Sequence, residues 1–252
     1  MQKRLSMFIG ALALGGATAA MAQSFPLWEQ ALHDYSSKTD QTPVPSMKMG
    51  KHMQMSLKAP AQPGDEQRAT AIAAAAKRVL AHYADVNTAL ADGYKPFFPS
   101  GKMGEEVHYT SYRYTRLGRQ HIDYDHPGSI LYRRTPQGMQ AVGVMYSAAQ
   151  NATAEQLNAI VPLSIATWHR HVDFCGAPKN LPLGQQYGPH AAFGPQGSIH
   201  TEQACEDAHG LWLPVVFGWM THVYPNAKNP ADVWAGMTMH MDMSDDDKAP
   251  GT

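Results

Sequence analysis

A long amphipathic stretch limits the possible folds more than any other part of this sequence. Between Glu66 and Ala91 the apolar residues recur in alternating steps of four and three, which places them along one side of a helix. They are Ile72, Ala76, Val79, Tyr83, Val86 and Leu90. Gly93 follows as a residue that ends the helix. A helix with one apolar side must bury it, so the rest of the chain has to supply a surface.

The chain beyond this helix has the alternating pattern of β-strands. Strand-like runs rich in β-branched and aromatic residues occupy 107–116, 129–134, 139–148, 164–175 and 215–224. Residues 135–138 separate two of these runs as a hairpin turn, and Thr153 and Gln156 fit a capping box that opens a short helix. The sequence therefore predicts a single α+β domain, in which an antiparallel sheet packs against one long N-terminal helix.

The start of the sequence has the pattern of an export signal. Lys3 and Arg4 precede an apolar run that is too short to span a bilayer and that leads into small residues. The expected organisation is a signal peptide, a short helix with a Met-rich linker, a globular domain and a Met/Asp-rich tail, at 1–22, 23–65, 66–237 and 238–252. We expect a periplasmic or secreted protein, without a membrane span once the signal is removed.

Two cysteines, Cys175 and Cys205, are present in the whole chain. In an oxidising compartment an even pair is most simply a disulfide. Closing a loop of about 30 residues would stabilise the fold by roughly 3–4 kcal/mol in the chain-entropy model. Such a bond would also remove Cys175 as a thiolate ligand for a metal.

The run "WHRHVDFC" (168–175) places two histidines two residues apart in a predicted strand. Residues at that spacing share a face of the sheet, so His169, His171 and Asp173 are expected on one side. Two imidazoles held in this way chelate a metal with little strain. Strand histidines at this spacing also occur as ordinary solvated or hydrogen-bonded residues, and the pair alone does not decide between these interpretations.

A second strand-like run offers further ligands. Met220 and His222 share one face in "FGWMTHVY", and if this run lies beside 164–175, three imidazoles and a thioether converge. Imidazole accepts Cu(II) and thioether helps to hold Cu(I), so this donor set suits copper, with iron or zinc as alternatives. His108, in "VHYTSY", is a further candidate ligand. The alternative interpretation makes Met220 a core residue and His222 an ordinary hydrogen-bonded histidine.

Two short tracts concentrate methionine with one histidine each. "MKMGKHMQM" contains Met47, Met49, His52, Met53 and Met55, and "MTMHMDM" contains Met237, Met239, His240, Met241 and Met243. Neither tract has the amphipathic period of a core helix, and clustered thioethers bind soft monovalent ions such as Cu(I) or Ag(I). The alternative is surface methionine without a role in binding.

Several short words of the sequence carry a family resemblance. "HYTSY", "PGSILYRR", "GVMYSA", "PLSIATWHRHVDFC" and "FGWMTHVYPNAKNPADVW", in that order, resemble a family of secreted bacterial proteins without an assigned activity. The similar region is roughly 93–237, and its words are centred on His108, His169, His171, Cys175, Cys205 and His222. The resemblance implies one folded module and no particular reaction, cofactor or partner.

These patterns favour an exported metal-binding protein that handles copper by binding, storage or transfer. Its partners would be the metal ion and a periplasmic copper donor or acceptor. A formal net charge of −1 without a basic stripe argues against nucleic acid as a partner. One alternative is a mononuclear copper- or iron-dependent oxidoreductase, in which the same site activates oxygen or water. Another is a secreted interaction module without metal.

Overall fold

The computed structural model of the protein describes residues 44–97, 102–179, 181–182 and 190–235. The predicted signal peptide, the first part (23–43) of the predicted helix-and-linker segment and the methionine tract 237–243 lie outside these residues. Within them, eight strands form one antiparallel sheet in the order β1-β2-β7-β8-β6-β5-β4-β3. The strands are β1 Ser46–Met49, β2 Met53–Ser56, β3 Lys95–Pro96, β4 Glu106–Thr110, β5 Ser129–Thr135, β6 Gly138–Ser147, β7 His169–Gly176 and β8 Leu211–Val223.

Helices accompany this sheet and confirm the α+β class. They are α1 Asp65–His82, α2 Val86–Ala91, α3 Tyr112–Gly118, α4 Ala154–Ile160, α5 Glu202–Asp207 and a 3-10 helix at Pro230–Trp234. In the described parts of the chain, none of them combines the length and the apolar character that crossing a bilayer would require.

The stretch predicted as one helix from 66 to 91 is two helices. The first ends at His82, and the backbone of Asp85 is extended. The Asp85 side chain then accepts a hydrogen bond from the Asn87 backbone N–H at 2.9 Å, which caps α2. A capping aspartate inside an apolar period therefore divides the helix, although Tyr83 before the break and Ala89 after it are both buried.

The main hydrophobic core lies between one face of the sheet and these helices. Ile72, Ala76 and Val79 of α1 belong to the same buried cluster as Ile130, Tyr132, Val144, Tyr146, Trp168, Trp219 and Val223 of the sheet region. The apolar stripe predicted from the sequence is thus buried from Ile72 to Tyr83. The prediction is wrong for Leu90, which is 44% exposed, because the helix break changes the direction of the second helix and Ala89 is buried there instead. The opposite face of the sheet carries a different set of side chains, and it is on that face that the histidines lie.

Two predicted strands have different bounds in the structure. The run 107–116 is a strand only as far as Thr110, because Ser111 accepts a hydrogen bond from the Tyr114 backbone N–H and caps α3. The run 164–175 becomes a strand only at His169. Immediately before it, the Ser164 hydroxyl donates to the buried Asp65 carboxylate at the start of α1, which fixes that segment as a turn against the helix.

The Met-rich stretch predicted as a linker is, in its described part, a β-hairpin. Strands β1 and β2 are joined at Gly50, which has a positive φ of 67°, and β2 pairs with β7. The linker prediction is therefore wrong for residues 46–56. "MKM" and "MQM" have the period of two that marks a strand, but each run is too short and too polar to stand out from a loop.

Candidate metal centre

Four histidines from three strands meet on the sheet face that the helices do not cover. The Nε2 atoms of His108 on β4 and His222 on β8 are 3.3 Å apart. The ring centroids of His222 and His169 are 5.0 Å apart, and those of His169 and His171 on β7 are 5.7 Å apart. We refer to these four residues as the histidine cluster.

Strand alternation explains why all four side chains point to this face. Val107 and Tyr109 flank His108 and belong to the helix-side core, so His108 points the other way. On β8, Val223 and Thr221 alternate in the same manner with His222. On β7, Arg170 alternates with the two histidines, and Trp168, directly before the strand, belongs to the helix-side core. The Arg170 guanidinium lies 4.7 Å from the centre of the Trp219 ring on the helix side.

Curvature of the sheet brings His108 to His222. Strands β5 and β6 lie between β4 and β8, and three strand spacings would separate the two backbones by about 14 Å in a flat sheet. Two further contacts join the same two regions of the sheet. The Tyr224 hydroxyl donates a hydrogen bond to Glu106 Oε1 at 2.9 Å, and the Phe97 and Phe217 rings lie 5.4 Å apart. The sheet therefore curls toward the histidine face.

Irregularities in the strand pairing accompany this curvature. The register shifts between Leu131 and Tyr132 in the β5–β6 pair, and between His169 and His171 in the β7–β8 pair. Such irregularities bend a strand and increase its twist. Gly143 lies opposite Leu131, where a Cβ atom would come 2.8 Å from Tyr224 Cδ1, so glycine is needed for the close approach.

Burial keeps the imidazoles of the histidine cluster neutral. Desolvation lowers the pKa of His108 to about 4, of His169 to about 3 and of His171 to about 4, and it lowers the pKa of His222 well below its usual range. The neighbouring imidazoles lower the pKa values of His108, His169 and His222 further, because two adjacent cations would repel one another. Neutral imidazole is the form that binds a metal ion, so no proton has to be displaced at neutral pH.

Two ring nitrogens in the cluster are buried without a hydrogen-bond partner, His169 Nε2 and His222 Nδ1. Their side chains are 1% and 2% exposed. An unpaired buried polar atom costs about 1–3 kcal/mol, and most such atoms in native proteins are satisfied. Two such nitrogens in neighbouring rings call for an explanation, and a bound ion is one that fits imidazole.

The distance between His108 Nε2 and His222 Nε2 fits two arrangements. One neutral ring can donate its N–H to the other, which makes 3.3 Å a hydrogen bond. Two nitrogens on one tetrahedral ion, each about 2.0–2.1 Å from it, would also lie about 3.3 Å apart. As they stand, no three His, Cys, Asp or Glu side chains in the described residues are arranged to hold an ion. Metal binding would therefore require rotation of the imidazole rings.

Met220 lies beside the cluster, as the sequence predicts for a strand neighbouring 164–175. It is opposite His169 in the β7–β8 register and packs against Leu131 and Met145. Met145 is itself opposite His222 on the β6–β8 pair. The sequence gives no reason to single out Met145, because its position depends on which strands pair. Two buried thioethers thus adjoin two of the four imidazoles.

The methionines of the first tract lie on the histidine face. Met55 is opposite His169 and Met53 is opposite His171, while Met47 and Met49 of β1 are opposite Met55 and Met53. His240 and the methionines of the second tract, Met237, Met239, Met241 and Met243, lie outside the described residues.

His52 and Asp173 have other roles than those predicted for them. The His52 Nε2 lies 2.6 Å from the Gly197 carbonyl oxygen and its Nδ1 lies 3.4 Å from that of Val172, so the ring anchors the hairpin rather than joining the methionines as a ligand. Asp173 has a positive φ of 58° and pairs with Lys48 Nζ at 2.6 Å. Its carboxylate is therefore engaged away from the two histidines with which the sequence groups it.

The predicted disulfide between Cys175 and Cys205 is confirmed. The two Cα atoms are 5.5 Å apart, and the bond joins the end of β7 to α5. Both residues are buried in a small second cluster with Ala177 and Phe193. Cys175 is therefore unavailable as a metal ligand.

Comparison of the chain with protein-family models, with curated proteins and with solved structures finds no match. What the protein does has therefore to be inferred from the geometry and chemistry of its own residues.

Proposed function

We propose that the protein is an exported copper-binding protein and that the histidine cluster is its principal site. The observation that carries this proposal is the pair of unpartnered, buried ring nitrogens on His169 and His222 among four neutral imidazoles. A coordinated ion would use lone pairs that otherwise remain desolvated and unpaired. Rotation of the partly buried His108 and His171 rings would complete the set of donors.

The surroundings of the cluster favour copper over zinc or iron. Met220 and Met145 place thioethers opposite His169 and His222 in the strand register. Thioether is a soft donor that helps to hold Cu(I), while imidazole binds both copper oxidation states, and zinc seldom uses methionine. The Cys175–Cys205 disulfide supports an oxidising compartment outside the cytoplasm, where a periplasmic donor or acceptor would exchange copper with this protein.

Metal analysis of the full chain, prepared without an affinity tag, tests the proposal. The parent and the double variant His169→Leu/His222→Leu are loaded with Cu(I) under argon, dialysed against a weak chelator and analysed for copper and protein. We expect the variant to retain about one copper ion fewer per chain, with an affinity at least about 100-fold weaker at the lost site.

Two controls separate loss of the site from loss of the fold. The residues changed in His82→Ala/His200→Ala are exposed and do not belong to the cluster, and this variant should retain the copper content of the parent. The metal-free His169→Leu variant should unfold at the same temperature as the parent or higher, because leucine removes an unsatisfied buried nitrogen. Equal copper content in the parent and the His169→Leu/His222→Leu variant would refute the proposed function.

A further inference from the structure

The strand register extends the histidine cluster into two rows of donor atoms. Directly opposed residues on antiparallel strands share a face, with Cβ atoms about 4.5–5.5 Å apart. One row runs through Met47, Met55, His169 and Met220, across β1, β2, β7 and β8. The other runs through Met49, Met53 and His171, across β1, β2 and β7.

Exposure to solvent decreases along the first row as far as its histidine, and between the two methionines of the second row. In the first row Met47 is 52% exposed, Met55 is partly buried and His169 is 1% exposed. In the second row Met49 is 38% exposed and Met53 only 7%. Both rows thus begin with an accessible thioether at the edge of the sheet. The first leads to the buried imidazole of His169, whose Nε2 has no partner, and the second leads to the partly buried His171.

Packing does not explain the outer methionines. Core methionine fills gaps between apolar side chains, whereas Met47 and Met49 leave much of their surface in water. Lys48 alternates with them and so points to the opposite face, where its ammonium group pairs with the Asp173 carboxylate. The methionine face of the hairpin therefore presents neutral, soft donors to solvent.

We infer that Met47, Met49, Met53 and Met55 form a path along which a soft monovalent cation, Cu(I) or Ag(I), passes from solvent to the histidine cluster. The inference rests on the proposed function, because it assigns an entry route to that site. Thioethers bind soft monovalent ions and discriminate against harder divalent ones. Each transfer is an exchange of ligands in which the ion keeps its charge, so no oxidant or reductant is required.

Silver titration of the full chain, with ¹³C-labelled methionine methyl groups, tests the location of the path. Ag(I) serves as a redox-inert probe, and single Met→Leu variants assign the signals. We expect Ag(I) to shift the methyl resonances of the four hairpin methionines and to leave that of Met103 in place. Met103 is 62% exposed and precedes β4, which is separated from the hairpin by four strands in the sheet order. Unchanged hairpin resonances in the presence of bound Ag(I) would overturn the inference.

Loading kinetics test whether the path serves the cluster. Transfer of Cu(I) from a colorimetric chelator is followed in the parent, in Met47→Leu/Met49→Leu and in the matched surface variant Met103→Leu. We expect the hairpin variant to load severalfold more slowly, with an unchanged final content at the cluster, and Met103→Leu to match the parent. Zn(II) should load at the same rate in all three proteins, since zinc seldom uses thioether.

The outcomes separate the path from the function. Equal Cu(I) loading rates in the parent and the hairpin variant, with copper still lost in His169→Leu/His222→Leu, would overturn the path and leave the function standing. If the hairpin methyl resonances shift but His169→Leu/His222→Leu loses no copper, the proposed function is refuted. The path is then overturned as well, because the methionines would lead to no copper site.

Discussion

At the scale of single residues, burial determines the chemistry of the four histidines. An exposed imidazole, with a pKa of about 6.5, is half protonated in slightly acidic surroundings. In the cluster, desolvation lowers the pKa of each ring, to about 4 for His108 and about 3 for His169. Under the proposed function, the cluster should therefore keep copper at a pH of about 5, where a surface histidine site is mostly protonated.

The same pKa shifts predict how the stability of the metal-free protein depends on pH. Above about pH 6.5 the imidazoles are neutral in both folded and unfolded chains and contribute nothing. Between about 6.5 and 4 the unfolded chain binds protons that the folded chain excludes. As the pH is lowered through this range, the free energy of unfolding should therefore decrease, by up to about 1.4 kcal/mol per pH unit for each imidazole.

Urea unfolding of the metal-free protein at a series of pH values measures this effect. The variant His169→Leu/His222→Leu lacks two of the four imidazoles, so its stability should decline less steeply between about pH 6.5 and 4. Titration of carboxylates is common to both proteins and cancels in the comparison. Identical slopes would show that these two histidines are not held neutral by the fold.

At the scale of secondary-structure elements, the disulfide fixes the end of β7 to the segment before β8. Cys175 and Cys205 are 30 residues apart, and closing such a loop stabilises a fold by about 3–4 kcal/mol in the chain-entropy model. We expect Cys175→Ser/Cys205→Ser to lose about that much stability in a denaturant titration. A loss below about 1 kcal/mol would mean that the small cluster around Phe193 holds these elements together without the bond.

The elements differ in how far local sequence determines them. The apolar stripe of α1 and the alternation of β5, β6 and β8 are repeated over enough residues to be recognised. Hairpin β1–β2 is not, since its strands have only four residues each and are held by pairing, β1 with β2 and β2 with β7. The helix break at Asp85 and the end of β4 before Ser111 each depend on one capping side chain, which a periodic pattern conceals.

At the scale of the whole molecule, the site depends on curvature of the sheet. Strand alternation places His169, His171 and His222 on one face of the sheet. They lie close together because their strands, β7 and β8, are neighbours. Contact between His108 and His222 does not follow, because β5 and β6 lie between their strands. Local sequence patterns specify on which face of the sheet a side chain lies. Curvature of the sheet arises from register shifts, close packing at Gly143 and contacts between distant segments, and no short stretch of sequence contains this information.

Gly143→Ala tests this dependence on curvature. The added Cβ would lie 2.8 Å from the Tyr224 ring and 3.0 Å from the Leu131 side chain, on the concave face. We expect a loss of stability of about 1–3 kcal/mol and weaker copper binding, because the Tyr224–Glu106 contact helps to bring β8 toward β4. Thermal unfolding and copper competition measure the two effects.

Gly118→Ala is the matched control, since a Cβ there comes no closer than 3.6 Å to its nearest neighbour, the Ser147 carbonyl oxygen. This variant should match the parent in stability and copper affinity. If Gly143→Ala also left copper affinity unchanged, the curl of the sheet would not be what assembles the donors.

The two faces of this sheet can change independently during evolution. The helix-side core stabilises the fold through residues such as Ile72, Tyr132 and Trp219, none of which belongs to the histidine cluster. Mutations that removed the imidazoles would abolish the proposed copper binding and leave the architecture intact. Proteins descended from such a chain would keep the fold without the histidines. The residues at positions 108, 169, 171 and 222 therefore indicate whether a relative shares the proposed activity better than its fold does.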